Sequence, residues 1–147
     1  MDVTHTLAAG LSISRIGLGA ILLARPSAVS DFWIGRSGRT PGTQVVARGF
    51  GGRDLALGLG GLRALARHRD EEARAWLAGQ ALADAVDAVA TVVAGDKLPE
   101  RRRRIALVMA AGGAVTGAVS AALLGPGAAV RRATPHGTGR EWPAGAV

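Results

Sequence analysis

The run Ile105–Leu124, IALVMAAGGAVTGAVSAALL, is twenty residues with no charge and no proline. A helix of that length rises about 30 Å, which is the thickness of a bilayer's hydrocarbon core. A helix of the same length in water carries a polar stripe along one side. Thr116 and Ser120 are the only polar side chains here, and they make no such stripe. Arg101–Arg104 stand directly before the run, as a charged membrane flank does. Three further apolar blocks of comparable length precede it: Leu7–Ala24, Thr43–Ala66 and Ala73–Ala94. The expected fold is therefore all-α: a four-helix transmembrane bundle of up-down topology. Its domain is residues 1–124, with spans at 7–24, 43–66, 73–94 and 105–124, and a flexible basic tail follows at 125–147.

Composition narrows the chemistry. The 147 residues include no cysteine, which removes disulfides, thiolate metal sites and a cysteine nucleophile. His5, His68 and His136 lie outside the apolar blocks, so no metal site and no Ser/His/Asp arrangement is expected. Aromatic residues are 3% of the chain, and Ala, Gly, Leu and Val must do the packing. The net charge of +7 comes from eighteen basic residues, all arginine except Lys97. An Ala/Gly/Arg excess is what a high-GC genome encodes, so the charge does not argue for a nucleic-acid partner, and none is expected. The glycines of GFGGRDLALGLGG form neither a Walker A loop nor a dinucleotide-binding turn after a strand, and no cofactor is expected.

The connections are short. Residues 25–42 contain SAVSDFWIG, an amphipathic piece that reads as a short interfacial helix. Trp33 and Trp76 stand at or just beyond block edges, where interfacial tryptophan belongs. The first residues, MDVTHT, lack the basic start of a signal peptide, so block one reads as a retained span. Arg25, Arg36 and Arg39 in the first loop and Arg101–Arg104 in the third favour both termini on the outer side.

The charges inside the blocks are the informative residues. Arg15, Arg53, Asp54, Asp84 and Asp87 sit near block midpoints, and Arg48 lies nearer an edge, within snorkelling reach. In an up-down bundle the midpoints share one depth. An aspartate at a span centre costs about 2.5–3.5 kcal/mol, while each large aliphatic residue returns about 0.3–0.6. Block three, with two aspartates, therefore inserts only beside partners. Counting Arg48, the interior holds three Arg and three Asp and is formally neutral, as a paired network requires. Asp84 and Asp87, three residues apart, share one helix face. Gly51, Asp54, Gly58 and Gly61 share another, which lets a neighbouring backbone come close to Asp54. Gly113, Gly117 and Ala121 form a small-residue strip suited to tight helix crossing, and block one offers Gly10, Gly17 and Gly19. Ser12, Ser14, Thr91, Thr116 and Ser120 read as hydroxyls bonded back to their own helix.

Two readings of these charges compete. In one, Arg15 and Arg53 lock Asp54, Asp84 and Asp87 and fix the register of an otherwise featureless bundle. In the other, Arg15, Arg48, Arg53, Asp54, Asp84 and Asp87 line a pocket for a small ligand or for protons, as in a small-molecule or proton-coupled carrier. Acid/base catalysis on a lipophilic substrate by an aspartate is a third possibility, though no motif marks the chain as an enzyme.

The segments SRIGLGAILLARP (ending at Pro26), RGFGGRDLALGLG (48–60) and ADAVDAVATVVAG (83–95) resemble a family of small actinobacterial integral membrane proteins of unknown function. The resemblance spans roughly residues 7–124. More distantly, the chain is similar to DoxX-like four-helix membrane proteins, whose first helix carries an Arg followed by Gly. The resemblance implies four spans in a bacterial cytoplasmic membrane. It places Arg15 and Gly19 in the first span, Arg48, Arg53, Asp54 and Gly58 in the second, and Asp84 and Asp87 in the third. The expected function is a small non-enzymatic accessory protein in contact with the lipid bilayer, with a homodimer or a membrane protein as partner.

Overall fold

Long stretches of Ala, Leu and Val without an internal proline propagate helix, and here prolines and glycines punctuate them. The computed structural model describes residues 3–124. Among these residues it has five α-helices and no strand: α1 (Val3–Ala24), α2 (Pro26–Ile34), α3 (Pro41–Ala66), α4 (Asp70–Ala94) and α5 (Glu100–Leu123). Short 3-10 turns, Gly35–Arg39 and Gly95–Lys97, follow α2 and α4. Pro26 opens α2, and Pro41 opens α3 behind Thr40, whose hydroxyl accepts from the Thr43 amide at 3.3 Å. Gly35 and Gly95 end α2 and α4 at φ +73° and +55°, a conformation that costs glycine least.

Each of the four apolar blocks lies on a long helix, and the amphipathic SAVSDFWIG forms most of α2. The helices begin two to five residues before the blocks. Charged residues are compatible with a helix's first turn even where they end an apolar run. Asp70, Glu71 and Glu72 in the first turn of α4 even favour it, because they face its positive end.

Three helical segments are long and apolar enough to cross a membrane: Val3–Ala24, Asp70–Lys97 and Glu100–Leu123. This is compatible with a multi-pass membrane protein. The second expected span, α3, does not join them. Its 26 residues include seven glycines and the charged Arg48, Arg53, Asp54 and Arg63, which dilute its hydropathy below that of its neighbours. The basic tail expected at 125–147 lies outside the described residues.

Neighbouring helices pair in opposite directions. Gly19 of α1 meets Gly51 of α3, while Ser12 meets Gly58. Arg53 of α3 meets Asp87 of α4, while Gly60 packs on Trp76. Asp84 of α4 meets Gly113 of α5, while Ala81 meets Gly117. α1 and α5, by contrast, touch only sparingly.

Along the bundle, three zones follow one another. At one end Ala8, Ala64, Leu65, Ala73, Leu77 and Leu124 form a closed apolar core. The charged groups come next. At the far end α2 folds over, and an Arg102 guanidinium donates to the Asp31 carbonyl near the C-terminus of α2. That docking suits the negative end of a helix dipole.

Candidate functional site

The middle zone is an ionic network whose centre is buried. Arg15 is 6% exposed and Asp54 3%. One Arg15 amino group donates to Asp54 Oδ1 at 2.8 Å. The other donates to the Gln80 carbonyl at 3.0 Å and lies 2.5 Å from Asp84 Oδ2. Arg53 grips Asp87 with two parallel bonds of 3.1 and 2.8 Å, a bidentate fork. Its Nε and one amino group also reach Asp54 Oδ1, each at 3.2 Å. The guanidinium carbon sits 5.0 Å from the centre of the Phe50 ring, within cation–π range. Asp54 thus joins two arginines that come from different helices.

This geometry follows from spacing and from missing side chains. Gly51, Gly58 and Gly61 flank Asp54 on one face of α3. A Cβ on Gly58 would lie 2.6 Å from the Ser12 carbonyl oxygen, and one on Gly19 would lie 2.7 Å from the Gly51 carbonyl oxygen. The absence of those carbons lets α1 approach until Arg15 spans from Asp54 to Asp84. On the other side Gly113 leaves room for the Asp84 carboxylate, which a Cβ there would overlap, and Gly117 packs against Ala81.

The five midpoint charges converge as the spacing predicts. Arg48 does not join them: it is exposed and makes no ion pair among the described residues. Leu22 and Ala47, not Arg48, fill the α1–α3 seam above the network. This changes the charge count. The network holds two arginines against three aspartates, for a formal charge of −1 rather than neutrality.

Gln80 is a residue that sequence reasoning missed. It is fully buried, one turn before Asp84 on the same face of α4. Its amide nitrogen donates to the Leu57 carbonyl at 3.1 Å and to the Ser12 hydroxyl at 3.4 Å. Its signal was a lone amide in the i, i+4, i+7 series with Asp84 and Asp87. Ser12, expected to bond back along its own helix, serves as acceptor for Gln80. Ser14 and Thr91 do bond back, to the Leu11 and Asp87 carbonyls at 2.8 and 2.7 Å.

Beside the network lies a cavity of about 540 Å³, neither sealed nor a shallow dish. Its floor is the five charged residues. Its walls are apolar, with Leu18 and Leu22 from α1, Trp33 from α2, Phe50 from α3, and Met109 from α5. The volume falls in the usual range for small-molecule sites, about 300–1,000 Å³. The cavity lies where α1 and α5 touch only sparingly, and Val29, Ser30, Trp33 and Ile34 of α2 complete its lining. No group of His, Cys, Asp and Glu among the described residues is arranged to hold a metal ion.

No protein-family model, no curated protein and no solved structure matches the chain.

Proposed function

We propose that the chain is a small non-enzymatic protein of a bacterial cytoplasmic membrane, a four-span up-down bundle that binds a lipophilic small molecule. In this reading α3 is the fourth span, carried into the bilayer by its partners because Asp54 pairs with Arg15 of α1 and Arg53 with Asp87 of α4. The distribution of side chains supports it. Leu82, Val86, Val89, Val93, Val108, Val115 and Val119 are exposed, while Arg15, Asp54 and Gln80 are buried. Hydrocarbon is the solvent that tolerates this outside, and polar groups inside it must pair with one another.

The observation that carries the binding role is the cavity itself. A network serving only as a lock needs no space beside it, yet all five of its residues border this one. The lock and the pocket are therefore one structure, since the ion pairs brace the helices and also form the cavity floor. Ala90 lines the cavity and is exposed to it, so a large side chain there fills space without displacing the core. In lipid nanodiscs, Ala90→Trp is expected to abolish saturable binding of the neutral probe N-phenyl-1-naphthylamine while keeping the wild-type melting temperature. Equal saturable binding by both proteins, or none by the wild type, would refute the proposal.

The orientation is testable as well. The α2-bearing end carries eight basic side chains: Arg25, Arg36, Arg39, Lys97 and Arg101–Arg104. The opposite end carries four among the described residues: Arg63, Arg67, Arg69 and Arg74. We assign the α2 end to the cytoplasm. The natural chain has no cysteine, so single substitutions report cleanly. In intact cells a membrane-impermeant maleimide is expected to label Glu72→Cys and spare Ser37→Cys. The reverse pattern would invert the orientation, and labelling of both would count against four spans.

A further inference from the structure

We infer that the cavity is built for a lipophilic monocation, an amine with an apolar body whose ammonium group sits against Asp84. The inference rests on the cavity-binding reading above and names its ligand class.

The first ground is charge. Three carboxylates and two guanidiniums border the cavity, and no other ionisable side chain among the described residues does. The arginines at the α2 end do not border it and cannot offset the residual −1. An uncompensated charge away from water is costly, and a single positive charge delivered by a ligand removes that cost.

The second ground is how the bonds are shared. Asp87 has both oxygens engaged by the Arg53 fork. Asp54 is 3% exposed and takes both arginines on one oxygen. Asp84 has a single ionic contact, to Arg15 through Oδ2, and none to Arg53. Its side chain is 15% exposed, and it borders the cavity. Asp54 and Asp84 each keep one oxygen outside the ion pairs, and Asp84 is the more open of the two to the space, its side chain 15% exposed against 5%.

The third ground is Arg15. Although only 6% exposed and part of the same lining, it has a buried Nε–H with no acceptor among the described residues. The network is therefore unfinished on both sides: Asp84 has a donor on Oδ2 alone, and Arg15 Nε has no acceptor among the described residues. An ammonium head group would supply the second donor to Asp84.

The walls select the rest of the ligand. A hydrated inorganic cation gains nothing from Leu18, Leu22, Trp33 and Met109, whereas an alkyl or aryl amine buries its body against them.

The test compares dodecylamine with dodecanol and dodecanoate, three probes that share one chain and differ in head-group charge. Binding to the full-length protein is counted by native mass spectrometry, with Ala90→Trp as the blank. The wild type is expected to prefer dodecylamine over dodecanol by about ten- to a hundredfold, the worth of a charge-assisted hydrogen bond. Asp84→Asn is expected to lose that preference and still bind dodecanol as the wild type does, which shows the cavity intact. The wild-type comparison stands even if the variant fails to fold. Equal affinities in the wild type, a preference for dodecanoate, or an unchanged preference in Asp84→Asn would overturn the monocation and leave the cavity reading standing. If no probe binds the wild type above the blank, both fall together.

Discussion

Arg15→Met will cost about 3–5 kcal/mol of stability, the usual loss when one partner of a buried ionic cluster is removed. Arg15 holds Asp54, Asp84 and the Gln80 carbonyl, and it is 6% exposed. Its loss leaves two carboxylates facing each other with one arginine for three aspartates. Arg15→Lys will recover little, because an ammonium group cannot present the planar fork that reaches two helices at once. Arg53→Met will cost less, since Arg53 is 29% exposed against 6% for Arg15 and so is less completely enclosed by the protein. Exchanging the forked pair, Arg53→Asp with Asp87→Arg, should restore part of that loss. Arg48→Met should be neutral, because Arg48 lies on the exposed surface. Thermal melting of the purified protein in one detergent checks all five. An Arg15→Met variant that melts with the wild type would show that the cluster does not brace the fold.

The α1–α3 crossing gives the second large effect. Gly58→Val places a branched carbon where a Cβ alone would stand 2.6 Å from the Ser12 carbonyl and 2.8 Å from the Ile16 side chain. Gly19→Leu meets the Gly51 carbonyl and the Leu55 amide at 2.7 Å, both backbone, so neither can swing aside. Overpacking typically costs about 1–3 kcal/mol. Here it also draws Arg15 away from Asp54, and the loss should exceed that range. The same helix supplies its own control. Gly10 and Gly17 have nothing within 4 Å of a Cβ position, so Gly10→Ala and Gly17→Ala should be neutral or slightly stabilising. Expression level and melting temperature across the four variants test the ordering. If Gly17→Ala proves as damaging as Gly58→Val, the crossing face has been misplaced.

The glycines show how far sequence reading reaches. The stripe Gly51, Asp54, Gly58, Gly61 is visible as a spacing, and it does form the α1-facing side of α3. In α1 the spacing leaves Gly10, Gly17 and Gly19 equivalent, and only contact with Gly51 singles out Gly19. A helix reports which residues share a face, but not which neighbour that face meets. Gln80 was overlooked for a related reason. A single amide in an apolar run is ambiguous until Ser12 and the Leu57 carbonyl are seen around it.

Local rules were enough to locate the long helices, the short amphipathic α2 and the five midpoint charges. Helix periodicity, proline and glycine punctuation and the cost of burying charge all act within one segment. Three matters required the assembled bundle. One was the exclusion of Arg48, which depends on the rotation of α3 against α1. Another was the pairing within the network, Arg53 with Asp87 and Arg15 with Asp54 and Asp84, which depends on helix order and depth. The last was the cavity, whose lining is drawn from all five helices at once. Rotation, depth and a shared lining are set by side chains far apart in the chain meeting across helices, and so they belong to the tertiary structure.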